Sequence, residues 1–134
     1  MGIREKRLLE LPPHLRTEHQ EQVLLFRWRK ECLATYPALR WLHAIPNGGY
    51  RRKREADQLK NAGVLKGALD LHLPLPRGPY YGWYGELKTQ TGKPEPEQVA
   101  YVEYLLGAGY WANFLYGWEQ ARDDLLRYLE EKTA

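Results

Sequence analysis

Three charged residues sit where the sequence is otherwise apolar. Asp70 lies within Leu69-Asp70-Leu71-His72-Leu73, and Glu86 and Lys88 lie within Tyr84-Gly85-Glu86-Leu87-Lys88. Both segments read as strands. Residues two apart on a strand share a face, so Glu86 and Lys88 project together, and Asp70 joins them where the two strands are neighbours. Two carboxylates and an ammonium on an apolar sheet are costly unless something compensates them. A divalent cation does so, and hard oxygen ligands at this density suit Mg²⁺ or Mn²⁺. Lys88 would then orient or activate a water, or stabilise charge developing on a phosphate. Taken alone, a Glu-x-Lys step is more simply a surface ion pair at a strand end; the weight comes from its neighbours.

Those residues need elements to hold them. Thr17 with Gln20 forms a capping box that starts a helix from Glu18 to about Ala34. Val23, Phe26 and Trp28 are expected on its inner side and Arg27, Arg29 and Lys30 on the wet one. Tyr36-Pro37 stops it. Residues 1–16 read as a loose N-terminal arm and residues 17–134 as a single domain. Trp41 to Ile45 reads as a buried strand ending at the turn Pro46-Asn47-Gly48-Gly49. Arg51 to Ala62 reads as a helix capped by Gly63. Leu69 to Leu73 and Tyr81 to Leu87 form a hairpin-like pair of strands. Pro96 opens a helix to about Leu106, with Val99, Val102, Leu105 and Leu106 as its apolar stripe. Tyr110 to Tyr116 reads as a strand buried on both faces, and Glu119 to Glu130 as an amphipathic helix. The pattern is α/β: a mixed sheet flanked by helices.

Length and composition bound the rest. The chain has 134 residues, 43% hydrophobic and 28% charged, the balance of one ordinary folded domain. No long uncharged apolar run is present to cross a membrane, and the charged N-terminus does not read as a secretory signal. One cysteine, Cys32, offers neither an internal disulfide nor a thiolate cluster, and the cytoplasm is the expected compartment. Charge is unevenly spread. Residues 1–66 carry twice as many Lys and Arg as Asp and Glu, and residues 67–134 carry an acidic excess. A basic half beside an acidic half suggests a polyanion-facing surface next to a set of carboxylates. Arg51, Arg52, Lys53 and Arg54 open a helix against its dipole, which points to a role other than helix stability. With Asn47 and the glycine loop they can hold a phosphate; Lys60 and Lys66 are weaker additions. Ten Tyr and five Trp supply large amphipathic surfaces for core, self-association or base stacking.

Taken together, these residues form a resemblance. The chain resembles the VRR-NUC nucleases of the PD-(D/E)XK superfamily, in particular the small stand-alone type of phages and prophages. It is carried by Thr17-Glu18-His19-Gln20 with Gln22, Ile45-Pro46-Asn47-Gly48-Gly49, and Gly63-Val64 with Gly67. Asp70-Leu71, Tyr84 to Lys88, Pro96-Glu97-Gln98, Leu105 and Gly109-Tyr110 complete it. The resemblance implies a restriction-endonuclease-like αβββαβ core and metal-dependent hydrolysis of DNA phosphodiesters. It implies that Asp70 and Glu86 bind Mg²⁺ or Mn²⁺ with the main-chain carbonyl of Leu87. Glu18 would complete the metal site, through water or directly, Lys88 would be the catalytic lysine, and Gln98 would join them from the following helix. It also implies a homodimer acting on branched DNA such as Holliday junctions, in a bacterial or phage-infected cell. No membrane and no small organic cofactor are expected. Leu69 stands where the family has proline, Gly85 where a larger residue is commoner, and Glu95 where Ser or Thr usually caps the helix. A non-catalytic nucleic-acid-binding module on a nuclease scaffold is the second reading.

Overall fold

The Thr17 hydroxyl accepts from the Gln20 N–H at 3.1 Å, and the Gln20 side chain accepts from the Thr17 N–H at 2.9 Å. This is the expected capping box. It starts α2 (Glu18–Cys32), the longest helix among the described residues. The computed structural model describes residues 2–46, 57–58 and 60–132. Within them α1 (Ile3–Glu10) and α2 precede β1 (His43–Ala44), β2 (Leu71–Leu73) and β3 (Trp83–Lys88). Then come α3 (Pro96–Gly107), β4 (Trp111–Tyr116) and α4 (Trp118–Glu130).

The sheet order is β1-β2-β3-β4. β1 and β2 pair antiparallel, as do β2 and β3, whereas β4 runs parallel to β3. A parallel neighbour needs a crossover, and α3 supplies it. Among the described elements the order from α2 is αβββαβ, as expected, followed by α4. Residues 57–58 and 60–61 between β1 and β2 are helical, and the rest of the helix expected from Arg51 lies largely outside the described residues. Strand alternation then divides β3 between two faces. Trp83 and Leu87 enter the larger core with Leu71, Leu73 and Leu115, closed by Leu24, Leu25 and Trp28 of α2 and Leu125 and Tyr128 of α4. Tyr84 faces the other way, against the smaller core of Leu69, Val102, Leu105 and Ala112 under α3. Gly85 is required by the first face: a Cβ there would lie 2.5 Å from the Trp83 ring. The missing side chain lets that indole fold back along its own strand.

Several expectations change. The arm is not loose, because Ile3–Glu10 is helical and Leu8 and Leu9 pack against the larger core. Buried Arg16 fastens it: Nε donates to the Leu8 carbonyl at 3.2 Å, and NH1 pairs with buried Glu21 at 3.3 Å. On α2 the buried face is Glu21, Leu24, Leu25 and Trp28, while Val23 and Phe26 are half-buried. Trp41 belongs to a short 3-10 turn (Pro37–Trp41) and is exposed, so the first strand shrinks to two exposed residues. On α3, Val102 and Leu105 are buried but Val99 and Leu106 are exposed. β4 lies at the edge of the described sheet, yet it is covered on both faces as expected: Leu115 joins the larger core and Ala112 the smaller one, while Asn113 is exposed. Apolar composition alone does not distinguish an edge from a centre.

Candidate active site

β2 and β3 pair with Leu71 opposite Gly85 and His72 opposite Tyr84. That register places Asp70 beside Glu86, on the α3 face of the sheet. The two acids are then tied together through the backbone. The Asp70 N–H donates to Glu86 Oε2 at 2.9 Å, and the Leu87 N–H donates to Asp70 Oδ2 at 3.2 Å. Lys88 shares the face, with Nζ 3.8 Å from Glu86 Oε1 and both side chains buried. Each carboxylate is therefore held by the neighbouring strand's main chain, a rigid support for a site.

Gln98 comes from α3. Its Oε1 accepts from the Glu95 N–H at 2.9 Å, and its Nε2 donates to Glu86 Oε1 at 2.6 Å. One side chain thus closes the helix start and reaches into the site. A glutamate at this third helical position would serve the cap equally well. It could not donate, and it would bring a like charge to Glu86. Glu95, in the place of the usual Ser or Thr, thus caps the helix through a reciprocal box with Gln98. Gly67 lets the preceding loop approach the same helix: its φ is +92°, and a Cβ would lie 2.7 Å from the Glu97 backbone.

The electrostatics follow from burial. Desolvation, then the Asp70 charge, pushes the Glu86 carboxyl up to about 8. Asp70 is also raised, chiefly by desolvation and further by the Glu18 charge, against the lowering Leu87 N–H bond. Glu18 itself is exposed on the first turn of α2. So Glu18 reaches the site electrostatically, whereas Glu21 is spoken for. Glu21 pairs with Arg16 and accepts from the Trp118 N–H at 2.7 Å, capping α4. Asp70 and Glu86 are thus a desolvated pair of acids, the kind of pair a hard divalent cation compensates; among the described residues no third acid or histidine stands close enough to complete a metal-holding cluster with them.

The fold brings Asp70, Glu86, Lys88 and Gln98 together, with Glu18 at their edge. Lys60 and Lys66 are exposed, and Lys66 pairs with Glu97 at 3.3 Å, at the start of α3. Asn47, Arg51, Arg52, Lys53 and Arg54 lie outside the described residues. Two open grooves, of ≈ 540 and ≈ 550 Å³, run beside β4 and α4 and contain none of the predicted site residues.

The chain is similar to a VRR_NUC domain protein of known structure. The identity is 26%, the TM-score 0.76, and the match covers 88% of this chain and 92% of that one. No protein-family model matches the chain, and no curated protein does. The likeness supports a VRR-NUC-like, nuclease-type fold. No helix among the described residues is long and apolar enough to cross a membrane.

Sequence reading missed two arrangements. One is Asp124, a buried carboxylate that accepts from Trp83 Nε1, Trp111 Nε1 and Asn113. No local pattern announces it, because its partners come from two strands. The other is a row of rings, His43, His72 and Tyr84, across the sheet beside the acids. Here a signal existed: His72 follows Asp70 by two and Tyr84 precedes Glu86 by two, which puts all four on one face.

Proposed function

We propose that the chain is a Mg²⁺- or Mn²⁺-dependent DNA endonuclease of the PD-(D/E)XK type. The observation that carries this reading is the convergence of Asp70, Glu86 and Lys88 on the α3 face, joined by Gln98. Asp70 and Glu86 would hold the cation, with Glu18 completing the set directly or through water. The N–H and C=O of one strand residue point to the same edge. Because the Leu87 N–H meets Asp70, its carbonyl faces the same side and is suited to be a further ligand. Bound there, the cation supplies Lewis-acid stabilisation of negative charge on the scissile phosphate. Lys88 Nζ orients the attacking water and meets charge on a non-bridging oxygen. Gln98 keeps Glu86 from rotating away, and α3 keeps bulk water off it.

The preferred substrate in this reading is branched DNA, Holliday junctions included, cut by a homodimer. Trp41, Tyr81, Tyr104 and Leu106 expose more than half of their surface, area that self-association would bury. A two-fold assembly places two sites on a two-fold substrate. The test is cleavage of labelled linear and branched DNAs in Mg²⁺, Mn²⁺ or EDTA, with light scattering to read the mass. Metal-dependent cutting by wild type is expected, and Asp70→Asn should bind DNA but not cut it. Cleavage by Asp70→Asn near the wild-type rate would refute the assigned site; EDTA-resistant binding with no cleavage in any metal would favour the binding-module reading.

A further inference from the structure

The sheet face that carries the acids also carries a row of rings one pleat away. His72 stacks on Tyr84, with ring centroids 4.1 Å apart and planes 19° from parallel. His43 meets His72 edge-on at 5.5 Å. Beyond Tyr84 the row continues into Tyr101 of α3 and Tyr110, both in edge contact with it. The two imidazoles are fixed in place. His72 Nδ1 lies 3.0 Å from the Trp83 carbonyl and His43 Nδ1 3.0 Å from the Trp41 carbonyl. A carbonyl only accepts, so each Nδ1 carries the hydrogen and each Nε2 is left without a partner among the described residues. His43 is exposed and His72 half-buried. The row is thus built and held, yet its β1 end is open.

Its position gives it an occupant. His72 follows Asp70, and Tyr84 precedes Glu86, by one strand repeat of about 6.6 Å. A phosphate over the acids and the base of the same nucleotide are separated by a sugar, a comparable step. We propose that the His43–His72–Tyr84 row is a stacking subsite for one unpaired nucleobase beside the scissile phosphate. It deepens the nuclease reading and rests on it. Stacking on rings tolerates any base, because every base has a π-face. It requires that the base be out of its pair, since a base inside a duplex has both faces covered. The subsite therefore selects DNA that is open at the cleavage point, and Nε2 of either histidine can bond the base edge.

The probe is a forked duplex with 2-aminopurine as the first unpaired base of one arm or the other, compared with the fully paired duplex. Binding is read in Ca²⁺ by anisotropy, together with 2-aminopurine emission, and cleavage is read separately in Mg²⁺. Wild type should quench the unpaired 2-aminopurine in at least one arm. The His43→Ala/His72→Ala double variant should lose the quench and bind the fork about 5- to 100-fold more weakly, the effect of one lost stack. Its affinity for the paired duplex should not change. His43→Phe/His72→Phe keeps the rings without the nitrogens and should restore the quench. Wild type that cuts the fork without quenching either arm overturns the subsite and leaves the nuclease reading intact. Equal losses on forked and paired DNA, or no quench in the Phe variant, also overturn it. Wild type that neither binds nor cuts DNA removes the nuclease reading, and the subsite with it.

Discussion

Removing the Asp124 carboxylate should unfold the protein at markedly lower temperature without touching the acids of the candidate site. Asp124 is 2% exposed, and its Oδ2 accepts from both Trp83 Nε1 and Trp111 Nε1 at 2.9 Å. Its Oδ1 accepts from Asn113 at 3.0 Å and lies 3.6 Å from Arg127. The four partners are not equal. Trp83 is fully buried, so in Asp124→Ala its N–H is stranded, at a cost of roughly 1–3 kcal/mol. Trp111 is half-buried and costs less, roughly 0.5–1.5 kcal/mol. Asn113 is exposed and turns to water. Arg127 is mostly exposed, and such pairs contribute little. The total is about 1.5–4.5 kcal/mol, a large share of a domain's stability.

At about 4 °C per kcal/mol for a chain of this size, Tm should fall by roughly 6–18 °C. Thermal unfolding followed by circular dichroism reads this directly. Asp124→Asn keeps one oxygen for the indoles and should lose about half as much. Below its lower transition, Asp124→Ala should keep whatever site chemistry the wild type has, because Trp83 and Glu86 point to opposite faces of β3. A fall of less than about 3 °C, or an Asn variant as damaged as the Ala variant, would refute the argument that this carboxylate is the anchor.

Gln98→Glu keeps the cap but replaces the donation to buried Glu86 by a like charge, so Tm should fall by roughly 4–12 °C and Mg²⁺-dependent cleavage should be abolished; activity within a few-fold of wild type would show that the amide's donation to Glu86 is dispensable. Without divalent cation, stability should fall as pH rises. Glu86 is raised from 4.5 to about 8, so the folded form holds a proton that the unfolded chain releases. That contribution is whole below the unfolded value and is lost as pH climbs through the folded one. Glu86→Gln should flatten the slope, and Mg²⁺ or Mn²⁺ should raise Tm more at pH 8 than at pH 6. An identical slope in Glu86→Gln would mean that other groups set it. Replacing Arg51, Arg52 and Arg54 with Ala should weaken binding to all DNA sequences and flatten its salt dependence, read by titrations at several salt concentrations. Unchanged affinity would place the DNA surface elsewhere.

The αβββαβ order and the pairing of Asp70 with Glu86 were legible because each rests on a local rule. Strand alternation fixes which residues share a face, Thr17 and Gln20 mark a helix start, and a crossover helix makes β4 parallel. What was not legible depends on distant partners. Arg16 alone says nothing about a docked N-terminal helix; that follows from meeting Glu21 across α2 and the Leu8 and Leu9 carbonyls. Likewise the inner face of α2 turns on a buried acid, Glu21, which a count of apolar residues reads as wet. Its burial is intelligible only with Arg16 and the Trp118 N–H in view. Trp41 to Ile45 is apolar enough for a core strand, but Pro37 draws Trp41 into a 3-10 turn and leaves two residues to pair. At β4 the sequence carries no mark of its edge position.

β3 shows how one strand serves two demands that conflict. A site needs charged groups held without freedom, and burying charge weakens the fold that must hold them. Alternation separates the two. On one face Trp83, Gly85 and Leu87 make a dense layer: the indole lies over the missing Cβ of Gly85 and is anchored by Asp124. On the other face Glu86 and Lys88 are buried as a pair, and Glu86 accepts from the Asp70 N–H and from the Gln98 amide. Burial raises the carboxyls of Glu86 and Asp70, so keeping both ionised on that face is costly. The apolar face offsets it, which is why a residue as distant from the chemistry as Asp124 bears on whether the acids are presented at all.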